Sequence, residues 1–142
     1  MNYKLNPDYN TIDWKKMDDI FAKVGWSVRQ PEDIRASFEK SSYSVFIYDE
    51  AGEVVAFGRT VDDGKYYAQL ADIVVDPDYQ GEGVGSFIVE TLVDQLQGYH
   101  FITLTAAPGK SDFYEAIGWK KQTSAYIWPL TDKQKRQHTE EN

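Results

Sequence analysis

The sequence predicts one domain of mixed α and β structure, with helices packed on a central, mostly antiparallel sheet. Three observations carry that prediction. Apolar residues recur at helical spacing over 11–26 and again over 84–97. Short strand-like runs, separated by turn residues, fill 43–75. One strand–helix–strand unit covers 66–106. The chain has 142 residues, the size of one ordinary domain.

The first helix reads from "TIDWKKMDDIFAKVGW" (11–26), with Thr11 or Asp13 as its cap and Gly25 as its stop. A second, over 30–41, begins at Pro31, which suits a first helical turn. "YSVFIYDEAGEVVAFGRTV" (43–61) reads as a hairpin, and "YYAQLADIVV" (66–75) as a third strand that Pro77 ends. Val84, Ile88, Leu92 and Leu96 mark a helix to about Gln97. A strand over 101–107 and a short helix over 111–118 come next, with Ser111 as its cap and Gly118 as its stop. Residues 119–130 read as one or two closing strands. The domain is expected to span 1–130, with 131–142 a frayed polar tail.

Composition narrows the chemistry. There is no cysteine, which excludes disulfides, thiolate metal sites and a cysteine nucleophile. The two histidines, His100 and His138, are too scattered for a histidine-based metal site, so no metal is expected. A formal net charge of −8 argues against a nucleic-acid surface. No apolar run approaches the roughly 20 residues of a membrane span. The N-terminus lacks the apolar stretch of a signal peptide, so a cytoplasmic location is expected.

The most informative segment is "DPDYQGEGVGSFIVETL" (76–92). Gly81, Gly83 and Gly85 stand between a strand and a helix. Such a turn aims unpaired backbone amides and the positive end of a helix dipole at one point, which makes an anion cradle. Backbone donors suit an acidic protein, because they attract an anion without a basic surface. The Walker pattern is absent, since no lysine follows the glycines. The dinucleotide pattern fails at Ser86. What remains is Q-x-x-G-x-G, here Gln80-Gly81-Glu82-Gly83-Val84-Gly85.

With that motif and the downstream Phe113-Tyr114-Glu115-Ala116-Ile117-Gly118-Trp119, the chain resembles the Gcn5-related N-acetyltransferases, the GNAT family, over most of its length. Its branch looks like the one that acts on small molecules such as aralkylamines and amino acids. The resemblance implies a sheet splayed between the strands at about 66–75 and 101–107. It implies acetyl-CoA as acyl donor and a small-molecule amine or amino acid as acceptor, by direct attack on the thioester. Alternatives are a protein or peptide N-acetyltransferase, or a non-catalytic acyl-CoA-binding module. A homodimer through terminal strands is a further expectation from the family.

By the same resemblance, the amides of Gln80, Gly81, Glu82, Gly83, Val84, Gly85 and Ser86 hold the pyrophosphate. The backbone of Ile73, Val74 and Val75 pairs with the pantetheine as an added strand would. Ser111 and Phe113 lie along the cofactor, and Tyr114 protonates the departing sulfur. The base is less defined. Gln69 stands where some members carry a glutamate, and Asp72 is the nearby carboxylate, acting directly or through water; bonding of Asp72 to a neighbouring strand or loop is the competing reading. Ala107 replaces a family asparagine that contacts the pantetheine. Trp26, Arg29, Tyr66 and Tyr67 are the candidate acceptor contacts. An aromatic wall suits an aralkylamine, and Arg29 suits a carboxylate.

Overall fold

A computed structural model describes residues 1–139. They form two compact units, residues 1–104 and the residues from 105 onward. The first holds strands β1 (Asn2–Leu5), β2 (Ser44–Tyr48), β3 (Val54–Asp62), β4 (Tyr67–Val75) and β5 (Phe101–Leu104). It also holds helices α1 (Trp14–Lys23), α2 (Pro31–Glu39) and α3 (Val84–Gln95). The sheet order is β1-β2-β3-β4-β5. The first four strands pair antiparallel, and β5 pairs parallel with β4. This is the α+β sheet-and-helix fold read from the sequence.

Helices cover both faces of the sheet. On one, Trp14, Met17, Ile20 and Phe21 of α1 and Ile34 and Phe38 of α2 meet Phe46, Phe57 and Val74. On the other, α3 buries Val84, Ile88, Val89 and Leu92. Strands β2 and β3 are therefore buried along both faces. Burying each large apolar side chain here is worth about 1.5–3 kcal/mol. Asp13 caps α1, its carboxylate accepting from the Lys16 amide at 3.0 Å. Gly25, at φ 81°, turns the chain out of the helix.

The sequence reading is corrected in five places. β1 was not expected: it is an edge strand, exposed along most of its length, and it is held by pairing to β2 rather than by an apolar pattern. β5 stops at Leu104, short of 107. No strand forms over 119–130, where a turn at 123–124 and Pro129 interrupt the run; Tyr126 and Trp128 are exposed there. The polar end is helical, α5 (Asp132–His138). Thr131 caps α5 by accepting from the Gln134 amide at 3.0 Å, and Lys135, Arg136 and His138 suit its C-terminal dipole. In the second unit α4 spans Ser111–Ala116; Ser111 is its first residue, and Lys110 takes the cap position without a side-chain bond.

Two features of β4 shape the neighbourhood of the glycine turn. Its pairing with β5 covers only Tyr67–Leu70 against Phe101–Leu104, after which β4 runs on to Val75 paired with β3. The β3–β4 register also shifts: Phe57 faces Val74, but Arg59 faces Ala71, so Gly58 alone lies opposite Asp72 and Ile73. Asp72 takes φ 53° in this bulge. Gly58 has no space for a side chain, since a Cβ there would come within 2.7 Å of both Ile73 Cδ1 and Ile88 Cγ2.

Candidate active site

The glycine turn begins at Asp76, which is buried. The Asp76 amide donates to the Val55 carbonyl at 2.8 Å. The Asp76 carboxylate accepts from the Asp78 amide at 3.0 Å and from Lys23 Nζ at 3.0 and 3.2 Å. Burial pushes this carboxyl up, but the Asp78 amide and the Lys23 ammonium outweigh it and hold it below the usual carboxylate range. The end of α1 is thereby tied to the corner that leads into the turn. Gln80 reaches back, its Nε2 donating to the Val75 carbonyl at 3.1 Å.

Gly81 and Gly83 then take φ 84° and 81°, a conformation that costs an L-residue roughly 1–2 kcal/mol. Gly83 caps α3 with no side-chain bond. The helical ladder opens with the Phe87 amide donating to the Gly83 carbonyl at 3.1 Å. The amides of Val84, Gly85 and Ser86 are thus first-turn donors that no side chain caps, at the positive end of a three-turn helix. The chemistry of this donor set fits a phosphate or diphosphate. The turn continues directly from the stretch of β4 that β5 leaves behind.

The bulge gathers a second group. Arg59 Nε donates to Asp72 Oδ2 at 2.7 Å, and Arg29 Nη1 lies 3.2 Å from Oδ1. Arg59 also donates to the Ser37 carbonyl and Ser41 Oγ at 3.4 and 3.3 Å. The Arg29 guanidinium lies over the Phe21 ring at 4.3 Å and the Trp26 ring at 5.5 Å. Trp26, Arg29 and Asp72 thus meet. Tyr66 and Tyr67 do not join them. They lie at the start of β4, beside His100 and Phe101, with ring separations of 4.9 and 6.4 Å.

Both oxygens of Asp72 face guanidiniums, which is the bonding to neighbouring elements that the sequence allowed as the competing reading. Arg59 is the neighbour of Asp72 that the sequence reading missed. Its signal was a charged residue inside the apolar run "VVAFGRTV".

Within the second unit, the spacing of Phe113-Tyr114 and Gly118-Trp119 has a geometric reason. Gly118, at φ 102°, folds the chain back so that the Trp119 amide donates to the Tyr114 carbonyl at 3.0 Å. The Trp119 ring then stands edge-on to Tyr114, centroids 6.2 Å apart. Phe113 also sets its ring edge-on to Tyr114, at 4.9 Å. Burial pushes the Tyr114 phenol up from its usual value.

A family model described as an acetyltransferase (GNAT) domain matches residues 7–127. This chain belongs to the GNAT acetyltransferase family. Serotonin N-acetyltransferase 2 of Oryza sativa subsp. japonica, named as chloroplastic, is 36% identical over 120 residues, 80% of this chain and 60% of the rice protein. The chloroplastic GCN5-related N-acetyltransferase 1 of Arabidopsis thaliana is 31% identical, over 73% of this chain and 54% of its own length. The chain thus spans under two thirds of these GNAT relatives. Among solved structures, a GNAT-family acetyltransferase from Streptococcus pneumoniae superposes with TM-score 0.74 at 20% identity, over 90% of this chain and 96% of its own. Glucosamine-6-phosphate N-acetyltransferase from Arabidopsis thaliana gives 0.67 at 16% identity, over 92% and 100%. At those identities the match shows a shared GNAT fold. No helix among the described residues is long and apolar enough to cross a membrane.

Proposed function

We propose that this chain transfers the acetyl group of acetyl-CoA to the primary amine of a small molecule. The observation that carries the reading is the glycine turn: uncapped first-turn amides continue from a strand whose outer neighbour has already parted from it. A diphosphate suits the amides of residues 80–86. A pantetheine, whose amides mimic a peptide, suits the backbone of Ile73, Val74 and Val75. Ser111 and Phe113 flank the cofactor in this reading.

The neutral amine attacks the thioester carbon. A C–N bond forms and the C–S bond breaks. Tyr114 gives its hydroxyl proton to the sulfur, and the proton lost by nitrogen returns through water to the tyrosine. In sum, one proton moves from nitrogen to sulfur. A lysine-like amine is neutral in roughly one molecule per thousand or fewer at pH 7, so proton removal is part of the task. We assign Asp72 to positioning rather than to proton removal, because its two oxygens hold Arg29 and Arg59. The reaction suits any compartment that holds acetyl-CoA.

The test is thiol release from acetyl-CoA against a panel of amines, amino acids and peptides, with acetyl-CoA binding measured by calorimetry. Turnover of free amines or amino acids supports the reading. Turnover of peptides alone replaces it with protein acetylation. Saturable binding without turnover replaces it with a sensor, and absence of saturable heat removes acetyl-CoA from the account.

A further inference from the structure

We infer that the Arg29 guanidinium, held on Asp72 beside Arg59, docks a carboxylate of the acceptor, so that the preferred substrate is an amino acid rather than a plain amine. This rests on the acetyl-transfer reading and narrows it.

Asp72 carries one negative charge and the two arginines carry two positive ones, so the cluster holds a surplus of one positive charge. Among the described residues, neither guanidinium has another carboxylate within ion-pair distance. The surplus is sheltered, since the side chains of Asp72, Arg59 and Arg29 keep only 6%, 14% and 32% of their surface exposed. Two partly buried cations that share one counter-ion favour an anionic ligand. Within a chain of net charge −8, that preference is local to this site.

The two arginines are not equivalent. Arg59 is committed to Asp72, Ser37 and Ser41. Arg29 makes one ion-pair contact, at 3.2 Å, and its fork makes no hydrogen bond among the described residues. It lies over the Phe21 ring at 4.3 Å and the Trp26 ring at 5.5 Å. A guanidinium held over aromatic rings, with donors still open, is suited to take a carboxylate through two parallel bonds. Trp26, half-buried beside it, adds an aromatic wall.

The location agrees. Asp72 lies two residues beyond Leu70, where β4 and β5 part, and the strand then runs into the glycine turn. The cluster therefore borders the opening where the acyl arm is proposed to lie. Asp72 holds φ 53° there, and strained backbone of this kind gathers at functional sites.

Matched substrates test the inference. Thiol release is measured with tryptophan against tryptamine, and with phenylalanine against phenethylamine. The expected kcat/KM is at least about tenfold higher for each amino acid, the size of one charge-assisted contact. In Arg29→Gln that ratio collapses through KM, and Arg29→Lys restores part of it. Thermal melts check that both variants fold, and the substrate ratio, unlike absolute activity, is insensitive to a general loss of folded enzyme. Equal or better turnover of the plain amines by the unaltered protein overturns this inference alone. So does an Arg29→Gln variant that slows both members of a pair equally. No turnover of any amine overturns the acetyl-transfer reading and this inference with it.

Discussion

Asp72 shows how far one residue's neighbours decide its role. Read alone on a strand, it was a candidate base. The bulge turns its carboxylate toward Arg59 and Arg29, and nothing in a linear sequence announces that pairing across 13 and 43 positions. The turn around Tyr114 was legible, because the motif encloses it. Tyr114→Phe is expected to leave acetyl-CoA affinity intact and lower kcat about 10²–10⁴-fold. In the proposed role the phenol acts in its protonated form, and burial raises its pKa, so the acid stays loaded through neutral pH. The rate should therefore fall only as pH climbs past the ordinary tyrosine value near 10, and that limb should vanish in the variant. Identical rates at every pH would reject the assignment.

Asp76 gives a second prediction at this scale. Its folded pKa is depressed, so the stability it contributes is present above the ordinary aspartate value and is lost as pH falls through the folded one. Lys23→Met removes one of the groups that depress it. Acid unfolding, followed by circular dichroism, should then begin at higher pH. An unshifted acid limb would mean that the Asp78 amide alone holds the carboxylate.

At the scale of elements, the order of helices and strands was readable because apolar periodicity reports which face meets the core. Its failures share a cause. β1 is secured by backbone pairing, and 119–130 by no regular pairing at all, so apolar content was a poor guide to both. The glycine turn was read correctly as a turn, but its staples were not: Gln80 opens the motif without announcing its bond to Val75, and the pairing of Lys23 with Asp76 spans 53 positions. Gly83→Ala should cost about 1–2 kcal/mol, because the left-handed conformation is unfavourable for alanine. It should also weaken acetyl-CoA binding in calorimetry; an unchanged Kd would remove this turn from the diphosphate site. Gly58→Val should destabilise by about 1–3 kcal/mol in urea titrations, since Ile73 and Ile88 already fill the space.

Over the whole molecule, the proposed function asks an acidic protein to bind a polyanion. The net charge opposes the approach, so in this reading recognition falls to oriented amides at short range. The association rate of acetyl-CoA should accordingly rise, or stay level, as salt is increased, because screening weakens the repulsion from a net charge of −8. Stopped-flow measurements across ionic strength would show it. A steep fall would instead reveal a basic patch guiding the cofactor.

The Gln80 side chain, bonded to the Val75 carbonyl, closes a small ring between the end of a strand and the start of a loop. A loop stitched to its own stem keeps its curvature when empty. Nuclear relaxation at Gly81 and Gly83 should then be nearly the same with and without acetyl-CoA, whereas cutting the stitch with Gln80→Ala should set those two glycines in motion on the nanosecond scale until the ligand quiets them.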